Sequence, residues 1–347
     1  MKTVTIGIDL AKEVFAIHGV DTHGKVILRK QLRRNKMALF FTNLEPCLIG
    51  MEACGSAHYW ARKLESLGHK VKLMAPQFVK PYVKTNKNDT ADAEAICEAV
   101  RRPNMRFVAI KSQEQQSILS VHRSRQGFVK ARTAQANQIR GLLSEFGIVM
   151  PQGLRSIFNR IPEVLEDADN NLPMTMRNLL YRLTENLKEM NRHVCELESQ
   201  IQRWHSENEA SQALARVPGV GPITASAMVA TVGDAREFRN GRQLAAWLGL
   251  VPRQHSSGGK QTLLGISKRG DVYLRTLLIH GARAVVRFTE KKVDRDTWVQ
   301  RLLKRRNKNV VAVALANKNA RIIWALLRRN ESYHHEHVPT LAATVQI

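Results

Sequence analysis

Residues 3–20 read TVTIGIDLAKEVFAIHGV and contain two short apolar runs, TVTIGID and VFAIHGV, separated by a polar segment. A turn, DTHG, then leads into a third run, KVILRKQL, over residues 25–32. The β-branched residues in these runs favour strands, and Gly24 suits a tight turn between the second run and the third. The stretch therefore predicts a three-stranded antiparallel meander at the start of the fold.

After the meander the chain alternates between strand and helix patterns. CLIGME (47–52) predicts a fourth strand, and KVKLMA (70–75) predicts a fifth that ends at Pro76. Between them, SAHYWARKLESLG (56–68) has helical periodicity and a glycine stop. An antiparallel start followed by this alternation predicts an α/β domain with a mixed sheet over residues 1–110.

Strand patterns disappear over residues 111–206, which we interpret as a helical connector. Residues 112–147 predict a long amphipathic helix broken near Gly127, and residues 174–207 predict another. The second helix carries apolar residues at spacings of three and four: Leu179, Leu180, Leu183, Leu187, Met190, Val194, Leu197 and Ile201. This repeat predicts a coiled-coil pair, with a helical bundle packed on the first domain as the alternative.

The remaining sequence predicts a mainly helical domain over residues 207–330. Within it, PGVG (218–221) lies between two helical patterns and predicts a helix-hairpin-helix-like element. Backbone N–H groups at Gly219 and Gly221 could there meet a phosphate, whereas a glycine turn needed only for packing is the alternative. We expect the tail, residues 331–347, to be disordered, and we favour a solvated role over metal capture for its HHEH run.

The composition of the 347-residue chain is ordinary except for its charge. Lys and Arg number 54 against 30 Asp and Glu, which gives a net charge of +24. Such an excess attracts polyanions, so a nucleic-acid partner is favoured over an unusually basic protein without one. The four cysteines lack metal-ligand spacing, and neither a signal-peptide pattern nor a membrane-length apolar run is evident. We therefore expect a cytoplasmic, nucleoid-associated protein with reduced thiols and no membrane partner.

Four acidic residues occupy positions where a bare carboxylate is costly. Asp9 ends the first predicted strand and Glu52 ends the fourth, while Asp89 and Asp92 lie one turn apart at a helix start within KTNKNDTADAEAI (84–96). Carboxylates in such positions need a compensating cation. Four that converge could hold two divalent ions bridged by a phosphate, and their hard oxygen ligands select Mg²⁺ or Mn²⁺.

Simpler roles for these acids are open from the residues alone. Either strand-end acid could be ion-paired on its own. Asp89 could cap a helix that starts at Thr90, with Asp92 as a favourable acid in its first turn. Lys84 and Lys87 could then neutralise the pair.

Three motifs in the first domain resemble the DEDD transposases: GIDLAK (7–12), GMEACGSAHYW (50–60) and KTNKNDTADAEAI (84–96). Two more, AWLGLVPRQHSSGGK (246–260) and GISKRGDVYLRTLL (265–278), resemble that family's second, transposase domain. The family is grouped with the Piv-type DNA invertases, and the resemblance implies a RuvC-like ribonuclease H fold for the first domain. It also implies that the metal-binding catalytic acids are Asp9, Glu52, Asp89 and Asp92.

The motif RQHSSGGK (253–260) by itself favours a glycine-rich turn with solvated serines. The resemblance implies instead a catalytic serine just before a glycine, which is Ser257, with Ser256 as the alternative. Such a serine attacks the DNA backbone to form a phosphoserine link and needs an activating base or metal; His255 is adjacent in sequence. The basic residues that would contact DNA phosphates, or else form a solvated face, are Arg253, Lys260, Lys268, Arg269 and Arg275.

The resemblance implies a transposase that recombines the donor and target DNA of an insertion sequence. It further implies a homo-oligomer (dimer or tetramer) and a noncoding guide RNA. A structure-specific, Mg²⁺-dependent nuclease of the junction-resolvase kind is the main alternative, although it leaves the second domain without a role. An actin-like sugar kinase, suggested by the hairpin of residues 7–27, does not explain the charge, and a non-catalytic DNA-binding module does not explain the acids.

Overall fold

The protein is described here by a computed structural model that covers residues 4–84, 88–291 and 297–334. Its internal contacts divide the described chain into two compact units. The first unit consists of the described residues among 1–114, together with residues 232–237. The second consists of residues 115–231 and the described residues among 238–347.

The first unit is built on six strands: β1 (Thr5–Asp9), β2 (Val14–Val20), β3 (Val26–Arg33), β4 (Leu48–Glu52), β5 (Lys70–Met74) and β6 (Phe107–Val108). They form one sheet in the order β3-β2-β1-β4-β5-β6. The first three strands make the antiparallel meander, whereas β1, β4 and β5 run parallel to one another. The predicted mixed sheet is confirmed, and the short β6 adds an antiparallel edge that the sequence pattern did not predict.

The described residues of this unit form four α-helices: α1 (Met37–Thr42), α2 (Ala57–Ser66), α3 (Pro76–Val79) and α4 (Asp89–Val100). Helix α4 packs on β1 and β4 at two glycines. A Cβ atom on Gly7 would clash with the carbonyl oxygen of Ala93, and one on Gly50 would lie 2.8 Å from Val100 Cβ. The two glycines therefore let α4 approach the middle of the sheet closely.

Three further helices follow: α5 (Gln113–Ser144), α6 (Leu154–Glu166) and α7 (Met174–Glu207). The predicted break near Gly127 is wrong, because α5 continues through that residue without interruption. Gly127 is exposed, and one exposed glycine costs a helix only about 1 kcal/mol relative to alanine. The residues predicted as a separate connector lie mostly in the second unit.

Helices α5 and α7 run antiparallel, as polar side chains that bridge them show. Arg132 Nη1 donates to Asn191 Oδ1 at 2.7 Å, and Asn186 Nδ2 donates to Gln135 Oε1 at 2.8 Å. Most of the predicted apolar stripe on α7 is buried or half-buried, but Leu179 is 41% exposed. The two helices thus pack as a pair, and their coiled-coil character stays a prediction.

The described residues after α7 form six α-helices and one hairpin of strands: α8 (Glu209–Ala215), α9 (Pro222–Val232), α10 (Gly241–Trp247), β7 (Pro252–Ser257), β8 (Lys260–Ile266), α11 (Val272–Glu290), α12 (Trp298–Leu303) and α13 (Lys308–Arg329). Helix α13 packs against α10, α11 and α12. The mainly helical character of this region is as predicted. The glycine-rich turn predicted in RQHSSGGK lies at the tip of the antiparallel hairpin β7–β8, whose two strands the sequence pattern did not predict.

Among the described helices, α13 is long and apolar enough to cross a membrane on those two criteria alone. Eight of its residues are buried in its packing, among them Val311, Leu315 and Ile323. The buried core helix of a globular protein meets the same two criteria. In the tail, the predicted disorder and most of the HHEH run fall on residues 335–347, outside the described residues.

Candidate functional site

Three of the four predicted acids converge at one edge of the sheet. Asp9 ends β1, Asp89 is the first residue of α4, and Asp92 follows one turn later. One carboxylate oxygen from each lies within 4.8 Å of the others. Asp9 and Asp92 are half-buried, whereas Asp89 is exposed. Three negative groups held this close repel one another unless a cation lies among them.

The start of α4 excludes one of the simpler roles for these acids. The helix is capped by Asn88, whose side-chain oxygen accepts a hydrogen bond from Thr90 N at 3.0 Å. Asp89 is therefore not the N-cap, but Asp89 and Asp92 both lie in the first turn of α4, where acidic residues are favoured by the helix dipole. Lys84 pairs with Glu98, with Nζ and Oε2 3.4 Å apart, and Lys87 lies outside the described residues.

Glu52 lies beside this group without joining it as closely. It ends β4, the parallel neighbour of β1, one residue beyond the paired Ile8 and Met51. Burial raises the pKa of the Glu52 carboxyl above its usual value, and the negative charges of Asp9 and Asp92 raise it further. The fourth acid is thus electrostatically coupled to the other three.

The donor set fits a hard divalent cation. All four groups are carboxylates, the ligand type that Mg²⁺ and Mn²⁺ prefer, and the repulsion among them is relieved when a cation binds. Asp9, Asp89 and Asp92 are the residues whose oxygens could ligate one ion directly. Glu52 lies outside this group of three, and a metal-binding role for it stays a prediction.

The two candidate serines lie at the tip of the β7–β8 hairpin. Ser257 pairs with Lys260 across a two-residue turn, in which Gly258 has φ 55° and Gly259 has φ 77°. Positive φ at both positions is typical of a tight hairpin turn and explains the two glycines. Residues 252–265 are all exposed, so the hairpin projects both serines into solvent.

Ser256 and Ser257 point to opposite faces of the hairpin because side chains alternate along a strand. Ser256 Oγ accepts a hydrogen bond from Gln254 Nε2 at 2.9 Å. Ser257 shares a face with His255, but no hydrogen bond joins these two described residues. Among the described residues of this unit, neither serine forms a hydrogen bond to a histidine or a carboxylate, and the choice between the two serines stays a prediction.

The base of the hairpin is held by two glycines that interlock the two C-terminal motifs. Ser267 N donates to Val251 O at 2.8 Å, which ties the end of β8 to the start of β7. A Cβ atom on Gly249 would clash with Arg269 O, and one on Gly270 would clash with Trp247 O. The segments AWLGL and SKRGD therefore form one close-packed support for the hairpin.

Four of the five predicted phosphate contacts are exposed around this support: Arg253, Lys260, Lys268 and Arg269. Arg275 is different, since only 8% of its surface is exposed. Its Nη1 donates to Leu248 O at 3.1 Å and to Arg269 O at 3.0 Å. We therefore correct the prediction for Arg275: it lies on the buried face of α11 and satisfies two carbonyl groups of the hairpin support.

The PGVG turn packs on α11. Gly219 has φ 84°, and a Cβ atom there would lie 2.9 Å from Gly281 O. This contact accounts for Gly219 without a ligand. Gly221 is exposed with open space around its Cα, so phosphate binding at this turn stays a prediction.

The sequence pattern gave no signal for a buried polar group in the second unit. His122 on α5, Ser226 on α9 and Tyr273 on α11 meet in the helical core, and His122 and Ser226 are almost completely buried. Single polar residues in helical runs carry no periodic signature, which is why this group could not be recognised earlier.

Comparison with known proteins gives these geometries a context. A DEDD, IS110-type family model described as a transposase matches residues 6–148, and the model of the transposase IS116/IS110/IS902 family matches residues 211–297. The chain is 57% identical over 335 residues to a probable family 20 transposase of Pseudomonas aeruginosa, covering 96% of this chain and 99% of that protein. It is 45% identical to the transposase for insertion sequence element IS1111A of Coxiella burnetii, covering 96% and 92%.

A more distant similarity is to the pilin gene-inverting protein of Moraxella bovis, at 30% identity over 36% of this chain and 39% of that protein. The two family models contain, respectively, the acidic edge of the sheet and the serine hairpin. DEDD transposases typically use divalent metal, in agreement with the acidic cluster. The chain belongs to the IS110-type family of insertion-sequence transposases, enzymes that cut and rejoin DNA.

Proposed function

We propose that this transposase cuts and rejoins DNA with Mg²⁺ (or Mn²⁺) held by Asp9, Glu52, Asp89 and Asp92, and with Ser257 as nucleophile. One observation carries the proposal: carboxylate oxygens of Asp9, Asp89 and Asp92 lie within 4.8 Å of one another at the edge of the sheet. Such crowding is costly without a bound cation, and phosphoryl transfer is chemistry that divalent ions promote.

The first unit has the features expected of a RuvC-like ribonuclease H fold. Its central strands are parallel, its meander is antiparallel, and an acid ends the central strand β1. These features support that assignment of the fold. The coiled-coil pairing of α5 with α7 and the helix-hairpin-helix-like role of the PGVG turn belong to the same proposal.

The acids position the reacting phosphate. Divalent ions bound there would stabilise negative charge on the phosphate oxygens as Lewis acids. Asp9 and Asp92, being half-buried, fix their carboxylates against the sheet and α4, so the ligand geometry is set before DNA arrives. Exposed Asp89 leaves one side of the cluster open to the DNA strand.

Ser257 would carry the cut strand. Its Oγ forms a bond to phosphorus while one bridging P–O bond breaks. The proton that the serine hydroxyl loses is balanced by the proton that the departing deoxyribose oxygen gains when it becomes a hydroxyl. A deoxyribose hydroxyl then attacks the phosphoserine, which restores a phosphodiester and returns Ser257. The bond energy is conserved through both steps, as recombination requires. The similarity to pilin gene-inverting proteins, whose name states a DNA inversion, supports rejoining over simple hydrolysis.

Nucleic acid would be held by the exposed cations near the hairpin: Arg253, Lys260, Lys268 and Arg269. The net charge of +24 suits two polyanions, and we include a noncoding guide RNA in the proposal because base pairing would supply the sequence selection. Two DNA partners and several strand cuts also favour a homo-oligomer, either a dimer or a tetramer.

The test uses the insertion sequence's own flanking DNA, joined as a circular junction. Purified protein is incubated with this DNA, the flanking transcript and Mg²⁺, and denaturing gels are examined for a covalent protein–DNA adduct. We expect an adduct that is lost in Ser257→Ala and in Asp89→Asn but retained in Ser256→Ala. If the adduct is retained in Ser257→Ala and lost in Ser256→Ala, the nucleophile is Ser256.

A metal-dependent nuclease of the junction-resolvase kind is the second candidate. It is favoured by one observation, namely that the hydroxyl of Ser257 makes no hydrogen bond to His255, so no base within the hairpin activates it. Cleavage that needs Mg²⁺ and Asp89 but leaves no adduct, and that persists in Ser257→Ala, would favour the nuclease and refute the serine mechanism.

A further inference from the structure

Helix α11 presents a polar stripe with three cations to solvent. Its buried residues include Leu274, Leu278, Ala282 and Val286, which face the core. The opposite face carries exposed residues at spacings of three and four: Thr276, His280, Arg283, Arg287 and Lys291, the last being the C-cap. We name these five residues the α11 stripe. Their spacing places them in one row along the helix.

The stripe leads to a second group of cations in the turn between α12 and α13. Lys304, Arg305 and Arg306 are exposed there, and the backbone N–H groups of Arg305 and Arg306 both donate to Leu302 O. These hydrogen bonds fix the backbone of the turn, so its three side chains extend from a defined conformation. We name these three residues the α12–α13 turn.

An ion pair shows that the two groups are adjacent. Lys308, at the start of α13, has its Nζ 2.9 Å from Glu290 Oε1, at the end of α11. Glu290 directly precedes Lys291 of the stripe, and Lys308 follows two residues after Arg306 of the turn. The end of the stripe and the turn therefore meet at one corner of the second unit.

None of the eight residues that make up the α11 stripe and the α12–α13 turn is acidic. In the described residues between 272 and 308, Glu290 is the one acid, and it is paired with Lys308. By contrast, the cations on α7 are interleaved with glutamates, as in the pairs Lys188–Glu185 and Arg192–Glu196. A row of like charges raises the free energy of the folded chain unless a polyanion binds along it.

We propose that the α11 stripe and the α12–α13 turn form a track for duplex DNA beyond the hairpin that carries the candidate serines. Helix α11 has 19 residues, so its length is about 28 Å at about 1.5 Å per residue. It starts at the hairpin support, next to Arg269 and Gly270, and ends at the α12–α13 turn. The cations Arg283, Arg287 and Lys291 extend over about 12 Å at the end of this helix, which at about 3.4 Å per base pair corresponds to roughly four base pairs before the turn.

The proposed DNA track is a binding surface that is separate from the proposed cutting chemistry. It rests on DNA as the substrate of the family and needs neither the serine nor the metal centre. The family model for the second region ends at residue 297, so the α12–α13 turn lies outside both matched regions. The stripe offers guanidinium and ammonium groups, which bind phosphates, and it contains no Asn or Gln side chain that could read the edges of bases. We therefore infer contacts to phosphates that are independent of the DNA sequence.

The test measures the salt dependence of binding to a mixed-sequence DNA duplex by fluorescence anisotropy, without Mg²⁺ so that no cleavage occurs. Two full-length variants remove the cations of the track: Arg283→Gln/Arg287→Gln/Lys291→Gln and Lys304→Gln/Arg305→Gln/Arg306→Gln. A matched control, Arg182→Gln/Lys188→Gln/Arg192→Gln, lowers the net charge equally on α7. All substituted residues are exposed, and circular dichroism verifies the fold of each variant.

Each phosphate contact contributes about 0.9 to the slope of log K against log salt, so each track variant is expected to lower the slope by about 2.7. The control should leave the slope at the wild-type value. Equal slopes for track variants and control would overturn the proposal. A structured RNA with the same number of phosphates is the comparison ligand, and a loss of RNA affinity as large as the loss for duplex DNA would also overturn it. Because no cleavage is measured, failure of the serine mechanism leaves this result unaffected.

Discussion

His122 Nδ1 lies 3.0 Å from Tyr273 Oη, and the opposite ring nitrogen, Nε2, lies 3.1 Å from Ser226 Oγ. The Ser226 hydroxyl donates to Pro222 O at 2.7 Å, so its oxygen accepts from the histidine. His122 is therefore a neutral imidazole protonated on Nε2, with Nδ1 accepting the Tyr273 hydroxyl proton. One side chain thus joins α5, α9 and α11.

This arrangement predicts that the second unit loses stability in mild acid. Burial lowers the pKa of His122 to about 4, whereas the unfolded chain protonates it near its ordinary value of 6.5. The unfolded state then binds more protons, so the free energy of unfolding falls as the pH drops from about 6.5 to about 4, by on the order of 3 kcal/mol. Urea unfolding at a series of pH values measures this loss.

The matched variant is His122→Gln, which keeps hydrogen-bonding capacity but does not titrate. It should be less stable than the wild type near neutral pH and should lose less stability between pH 6.5 and 4. A variant whose pH dependence equals that of the wild type would show that another group is responsible.

Asp89→Asn is expected to abolish stabilisation by Mg²⁺. Removing one charge from three crowded carboxylates relieves repulsion, so without metal the variant should unfold at or above the wild-type temperature. With Mg²⁺ at about 100 times its Kd, the wild type gains about 2.7 kcal/mol. The variant should gain much less, and its DNA cleavage should fall by about 100-fold or more, since several kcal/mol of charge stabilisation are lost.

Glu94→Gln is the control on the same helix. Glu94 pairs with Arg29, with Oε2 and Nη2 3.7 Å apart, and is not part of the acidic cluster. Its Mg²⁺ response, followed by thermal unfolding, should equal that of the wild type. If both variants respond to Mg²⁺ as the wild type does, the acidic cluster does not bind the metal.

Gly270→Ala is expected to disrupt the support of the hairpin. Gly270 has φ 79°, and an added Cβ would clash with Trp247 O, which is backbone and cannot rotate away. We expect a destabilisation of at least about 2 kcal/mol in urea unfolding. Gly265→Ala, at a position with open space and no positive φ, should change stability little. Similar losses in both variants would mean that the interlock is not the cause.

Substitutions of Arg275 and Arg269 should distinguish a cation that stabilises the fold from a cation that binds DNA. Arg275→Gln leaves the carbonyl groups of Leu248 and Arg269 without their buried donor, so stability should fall by about 1–3 kcal/mol. Exposed Arg269→Gln should retain stability but lower the salt slope of DNA binding by about 0.9. The opposite pattern in unfolding and anisotropy measurements would place Arg275 on the DNA instead.

The elements that the sequence predicted correctly are those with strong apolar patterns. Strands β1 to β5 each contain a run of apolar or β-branched residues, and the acids that end β1 and β4 were recognised because they interrupt such runs. The β7–β8 hairpin was missed because both of its faces are polar and exposed, so it lacks alternation. Burial of Arg275 was also invisible, since a basic run does not reveal which of its members faces the core.

The β7–β8 hairpin has a consequence for when the protein can react. Its residues 252–265 are exposed on both faces, and two strands without a third strand or a packed face are marginally stable in water. The serine tip therefore acquires a fixed geometry only when another surface covers the ribbon. Under the proposed serine mechanism, chemical competence would follow assembly of the complete complex, and the protein alone would leave the DNA that it encounters intact.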